Sequence, residues 1–200
     1  MTQLGQPRTA VVLGPGEGLD VSRRNGRDSV LKVTGKDTAG HLAITELAHP
    51  QGVPGPPLHI HPNTEEAFYV LAGQLRVRAG EHEHTLSAGG FILVPQGLPH
   101  TFATAGPEPA RFLNVHSPAG FEQFFIDVAD AERQLGHELG PAELIPLASR
   151  QDWQIAGPPS RCDEHAGARR GCHAKSLAQH PVLRSSCSPG RRLNHATASG

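Results

Sequence analysis

The chain has 200 residues, 37% of them hydrophobic, with a formal net charge of −1 at pH 7. That length supports one domain with a sizeable core, and the near-neutral balance excludes the strongly basic surface that nucleic acid or an anionic membrane requires. No stretch approaches the roughly eighteen apolar residues of a spanning helix, and the N-terminus lacks the basic start and long apolar segment of a secretory leader. Cys162, Cys172 and Cys187 all fall in the last forty residues, leaving the rest without a disulfide framework. A cytoplasmic protein with no membrane and no nucleic-acid partner is expected.

With 23 Gly and 18 Pro the chain is rich in turn formers, which suits many short strands better than a helical bundle. Residues 29–34 and 41–47 read as a hairpin around GKDTAG, whose Gly, Asp and Thr are turn material. Residues 67–71 and 74–79 flank a tight turn at Ala72 and Gly73, and Gly80 opens another before 82–86. Strands over 91–94, 101–105 and 111–116 complete the set, separated by PQGLP and AGPEP. Short strands with Gly and Pro at every corner predict an all-β, jelly-roll barrel.

After Pro118 the period changes. Phe121, Phe124, Phe125 and Val128 recur at helical spacing, so residues 121–135 predict an amphipathic helix whose phenylalanines pack on the barrel as core. Gly140 and Pro141 break the chain before a second helix over about 141–150. Together these segments should cap one end of the barrel or help form a dimer. Residues 1–156 hold 11 basic and 17 acidic side chains, a net of −6, whereas 157–200 is +5, lacks aromatics and shows no apolar period. The tail cannot bury enough apolar surface to offset its ordering entropy, so disorder is expected there. Cys162 with His165 and Cys172 with His173 fit no zinc-finger spacing.

Chemistry concentrates in PLHIHPNTEEAFYVLAG from Pro57 and GGFILVPQGLPHTFAT from Gly89. His59 and His61 stand two apart, so on a strand both rings face one way, and Glu66 should arrive on the neighbouring strand after a short polar turn. His100 comes from the second stretch. Three imidazoles and a carboxylate suit one divalent first-row metal (Fe, Mn, Ni, Cu or Zn) and leave coordination room for a substrate. Glu65 is also within reach of His61. A second His-x-His pair, His82 and His84, follows a tight turn in EHEH and reads as surface.

Taken together, these stretches resemble the two motifs of the cupin superfamily. His59, His61, Glu66 and Gly73 keep the spacing of the first motif; Gly89, Pro95, Gly97 and His100 keep that of the second. The motif spacing to Gly73 selects Glu66 over Glu65. Two positions depart: neither Gly52 nor Gly55 keeps the leading glycine's gap, and Thr104 replaces the terminal Asn. The resemblance covers about residues 30–118, within a domain of residues 1–156. It implies a single cupin barrel with short C-terminal helices, and pairing into a homodimer through a strand from residues 8–35.

Strand alternation fixes the neighbours that share the ligand face: Phe68 and Val70 with Glu66, Phe102 and Thr104 with His100. The implied substrate pocket is apolar and aromatic, unlike one for a sugar phosphate. Arg76, Arg78 and Arg111 are the basic residues of the barrel strands, and alternation puts them on a solvated outer face. The chain looks most similar to small single-barrel bacterial cupins that include quercetin 2,3-dioxygenase-like proteins. That similarity implies a metal-dependent dioxygenase acting on a small aromatic or enolisable substrate, with Glu66 as ligand and general base and Phe68 and Phe102 holding the ring. Other cupins leave two alternatives, a non-catalytic binding module and a metal-dependent isomerase or decarboxylase. The last would need a cationic carboxylate clamp, and Arg111 facing inward would support it.

Overall fold

The computed structural model describes residues 9–159, all within one compact unit. In chain order the elements are β1 (Leu19–Asp20), β2 (Asp28–Val33), α1 (Gly35–Thr38), β3 (Ala43–His49), β4 (Pro57–Ile60), β5 (Glu65–Ala72) and β6 (Gln74–Ala79). There follow β7 (His82–Ser87), β8 (Phe91–Val94), β9 (His100–Ala105), β10 (Ala110–Ser117), α2 (Glu122–Leu135), α3 (Pro141–Ala148) and β11 (Gln154–Pro159). One sheet runs β1-β2-β3-β10-β5-β8 and the other β11-β4-β9-β6-β7, with every pairing antiparallel. The expected all-β jelly roll is thus the fold the chain adopts.

Period-two patterning explains how the sheets face each other. Along β3, Ala43, Thr45, Leu47 and His49 are buried while the residues between them are half-exposed. β5 buries Glu66, Phe68 and Val70 on one side and leaves Tyr69 and Leu71 exposed on the other. Leu47, Phe68, Val70, Leu75, Val77, Val94, Ala110 and Phe112 form the core between the sheets. At the β5–β6 corner Gly73 has φ 69°, and a Cβ there would sit 2.3 Å from the Pro109 carbonyl oxygen, so the motif glycine is required sterically.

Several local details differ from the expectations. GKDTAG is a helical turn rather than a plain loop: Asp37 accepts hydrogen bonds from the Thr34 amide (2.9 Å) and hydroxyl (2.8 Å), which caps α1. The second helix stops at Ala148. Two strands, β1 and β11, had no clear signal, and the strand expected to carry His59 and His61 ends at Ile60. β1 has two residues, β4 begins on Pro57, and β11 carries Gly157, Pro158 and Pro159 at the edge of its sheet, where missing amide donors are tolerated. β11 takes in the first three residues of the expected tail, pairing them with β4. The rest of that tail, with Cys162, Cys172 and Cys187, lies outside the described residues.

α2 is fastened to the first sheet by a buried charge. The Glu132 carboxylate accepts from Arg23 Nε (3.0 Å) and Nη2 (2.7 Å) and from the Arg24 (2.8 Å) and Leu139 (3.1 Å) amides. Burial alone would raise the Glu132 pKa, but these donors and the Arg23 charge outweigh it and hold it below the ordinary value. No helix among the described residues is long and apolar enough to cross a membrane.

Candidate metal centre

His59 lies near the end of β4 and His61 just beyond it, while His100 opens β9 directly opposite His59 in the ladder. Glu66 does not follow on a neighbouring strand. β5 belongs to the other sheet, so the carboxylate reaches the three imidazoles across the sandwich. The polar turn between Pro62 and Thr64 makes the crossing, and the Gly97 amide holds the His61 carbonyl at 2.8 Å. One donor atom from each of His59, His61, Glu66 and His100 lies within 4.8 Å of every other, and all four residues are buried.

Each imidazole is oriented from behind. His59 Nδ1 donates to the Pro57 carbonyl (2.8 Å), His100 Nδ1 to the Leu98 carbonyl (2.9 Å), and His61 Nδ1 to the Asp152 carbonyl. With Nδ1 committed, Nε2 of each ring turns toward Glu66 Oε2, at 3.9 Å from His59, 3.5 Å from His61 and 2.5 Å from His100. His61 Nε2 is buried and has no hydrogen-bond partner. An orphaned buried nitrogen beside two further Nε2 atoms and a carboxylate is the donor set a divalent transition metal satisfies, and in that sense the residues fit one.

Electrostatics follow from burial and the shared carboxylate. Burial lowers the His59 pKa to about 4, against the Glu66 contact that raises it, so this ring is neutral and ready to ligate. Burial would raise Glu66, but the His100 charge and hydrogen bond, followed by those of His116, hold it well below the usual carboxylate range. For His100 burial lowers and the Glu66 partner raises, and the net shift is upward.

Sequence reasoning missed the residues on the other side of the carboxylate. Asn114 Nδ2 donates to Glu66 Oε1 at 2.7 Å, and His116 Nε2 stands 3.5 Å from the same oxygen, both side chains buried. The signal was available: in ARFLNVHS, Asn114 and His116 alternate in phase with Phe112 and must share its inward face. Asp152 had no such signal, since it lies in the turn before β11. Its carboxylate takes the Asn63 amide and side chain, each at 2.9 Å, tying that turn to the ligand loop.

Above the four donors opens a cavity of about 640 Å³, with His59 and Glu66 in its wall. Phe102 lines it as expected, but Phe68 and Val70 do not. They share Glu66's face yet lie two and four residues deeper along β5, in the core. Alternation fixes the face of a strand and not the depth along it. Thr104 is likewise buried out of reach, bonded to His49. The C-terminal helix supplies the aromatic wall instead: Phe121, Phe124 and Phe125 line the cavity, so the phenylalanine cluster is pocket as well as packing. Trp153 completes it, its ring centroid 5.4 Å from Phe124 and 5.3 Å from His59.

The remaining basic and histidine candidates face away from the site. Arg111 is half-exposed and paired with Glu46, and Arg78 is exposed. Arg76 alternates outward from Leu75 and Val77 yet is buried at 7% exposure, contrary to a solvated face; Glu83 lies 3.9 Å from its Nε. His82 and His84 are exposed on the edge strand β7.

Residues 46–116, the stretch of the two-sheet jelly roll that holds the four donors, match the family model described as Cupin domain. The chain is 36% identical to Protein SchB of Streptomyces halstedii over 55 residues, 28% of this chain and 40% of that protein, so it spans about two-fifths of that relative's length. Among solved structures it is similar to KdgF from Halomonas sp. (19% identity, TM-score 0.43, covering 49% of this chain and 85% of that one). It is also similar to a predicted oxalate decarboxylase from Thermotoga maritima (18% identity, TM-score 0.44, covering 46% and 80%).

Proposed function

We propose that this protein is a metal-dependent dioxygenase acting on a small aromatic or enolisable molecule in the cytoplasm. The carrying observation is the junction of two features: four convergent donors from His59, His61, Glu66 and His100, and an aromatic cavity with two of them, His59 and Glu66, in its wall. A divalent metal held by those donors would supply a Lewis acid with positions open to substrate. The protein's own part is to bind and orient. Phe102, Phe121, Phe124 and Trp153 offer flat apolar faces to a ring, and their packing excludes water from the reacting end. Glu66, the carboxylate in the cavity wall, takes the substrate proton. An enol or a phenol, whose hydroxyl is the more acidic, gives up that proton more readily than an alcohol.

A second reading is a non-catalytic binding module, in which the same aromatic walls hold such molecules without turning them over. An isomerase or decarboxylase of a small keto acid loses its expected support, since Arg111 faces outward to Glu46. Oxygen uptake by the metal-loaded protein across a panel of flavonols and β-diketones separates the two main readings. Uptake that disappears in Glu66→Ala supports the dioxygenase; tight binding with no uptake from any compound leaves the binding module.

A further inference from the structure

Two adjacent residues in the turn before β11 serve different neighbours. The Asp152 carbonyl accepts the Nδ1 proton of His61, and the Asp152 carboxylate accepts the Asn63 amide and side chain. Trp153, the next residue, puts its half-buried ring into the cavity wall, with centroids 5.3 Å from His59, 5.4 Å from Phe124 and 6.5 Å from Phe121. The Asp152 carbonyl and the Trp153 Cα belong to one planar peptide group, so they move as a rigid body. A push on the indole is therefore a push on the group that orients His61.

Little else fixes that peptide. The bonds to Asn63 are at the surface, and Ser149 and Arg150 just before the turn are exposed. The indole Nε1 is buried without a hydrogen-bond partner, so the ring is held by packing alone and its burial costs stability. Its cavity side faces a volume of about 640 Å³, walled also by Phe102, Phe121 and Phe124. The docked position of the turn is thus opposed by one buried N–H, and an apolar surface on the cavity side of the indole would secure it.

Docking suits a metal and an aromatic ligand alike. With the carbonyl in place, His61 Nδ1 is committed and Nε2 points toward the other donors; without it the ring rotates and metal affinity falls. A flat apolar ligand gains contact with the indole face only while the turn is docked. Two ligands that favour the same arrangement raise each other's affinity by the same factor.

We infer that Trp153 is a positioning residue that couples the cavity to the metal donors: an aromatic ring packed on its indole holds the Asp152 carbonyl on His61 and tightens metal binding, and the metal tightens the aromatic ligand in return. This inference rests on the metal-and-aromatic-cavity reading above and adds regulation to it, since the centre holds its metal best when the cavity is filled.

Zinc and naphthalene are the probes. Naphthalene has no atom that ligates a metal, so any effect it has on zinc passes through the protein. Zinc affinity of the full-length chain is measured against a chromophoric chelator with and without saturating naphthalene, whose own binding is followed by equilibrium dialysis. Naphthalene should tighten zinc about tenfold, within the roughly 5- to 150-fold span of ordinary coupling, and zinc should tighten naphthalene equally. At saturating naphthalene, Trp153→Ala should abolish the coupling, whereas Trp153→Phe, which keeps a flat ring on the same peptide, should retain most of it. Phe124→Ala, which removes wall and leaves the peptide alone, should weaken naphthalene yet keep the coupling. Zinc affinity unmoved by naphthalene in the wild type, or a coupling that survives Trp153→Ala, would overturn the role of Trp153 and leave the donors and the cavity standing. Absence of stoichiometric zinc would remove the metal reading with it, and absence of naphthalene binding would remove the aromatic cavity with it. The wild-type comparison decides whether the coupling exists, whether or not the variants fold.

Discussion

Asn114 Nδ2 donates to Glu66 Oε1 at 2.7 Å, joining the middle of β10 to the carboxylate that the three histidines share. This bond fixes which oxygen of Glu66 faces His59, His61 and His100, because the other is occupied. Asn114→Ala should therefore weaken divalent metal binding by about 10- to 100-fold, the usual effect of losing a group that orients a ligand. Competition against a chromophoric chelator measures it, and an unchanged affinity would show that the carboxylate orients itself.

Elemental mass spectrometry on the purified chain gives the most direct reading of the donor set. Wild type should carry close to one equivalent of a first-row metal, and His61→Ala and Glu66→Ala should carry little. Equal, low content in all three would make these histidines structural and point to a barrel that binds its ligand without metal.

Acid stability should register Glu132. Its folded-state pKa lies below the ordinary 4.5, so the stability it contributes is fully present above about pH 4.5 and is lost as the pH falls through the depressed value. Glu132→Ala strips Arg23 and the Arg24 and Leu139 amides of their partner, and should cost about 3 kcal/mol at pH 7 in chemical denaturation. Glu132→Gln should flatten the acid limb of the stability curve. A limb identical to that of wild type would assign the acid sensitivity to other carboxylates.

Phe68 separates core from pocket. It is fully buried, with Phe102 at 5.2 Å and Phe112 at 5.9 Å between ring centroids, and it does not line the cavity. Phe68→Ala should cost about 3–5 kcal/mol of stability. Phe124→Ala, on a half-exposed wall residue, should cost much less and should weaken quercetin binding instead. The opposite pattern would place the ligand in the barrel core.

The clustering of His59, His61, Glu66 and His100 was legible because motif spacing is local: the four occupy fixed offsets around Gly73 and Gly97, and turn glycines mark the strand ends. Depth was not legible, as Phe68 and Val70 show, because a period of two says which face a residue occupies and nothing about how far it sits from the mouth. Asn114 and His116 could have been found by carrying the alternation of Phe112 onward. Trp153, Asp152 and β11 could not, since a strand holding Gly157, Pro158 and Pro159 has the composition of a loop, and only pairing with β4 makes it one. His49 and Thr104 meet across a separation of 55 residues, and no local pattern announces such a contact.

One hydrogen bond sets the size of the working unit. The family match ends at residue 116 and contains every proposed metal ligand, but the carbonyl that orients His61 belongs to Asp152, 91 residues further along the chain than its partner. A fragment trimmed at the end of the match would retain a complete set of donors with one of them free to rotate, and would also lose the aromatic wall. Swapping this barrel into another protein as a cassette therefore means carrying the segment through β11, even though most of that addition ligates nothing.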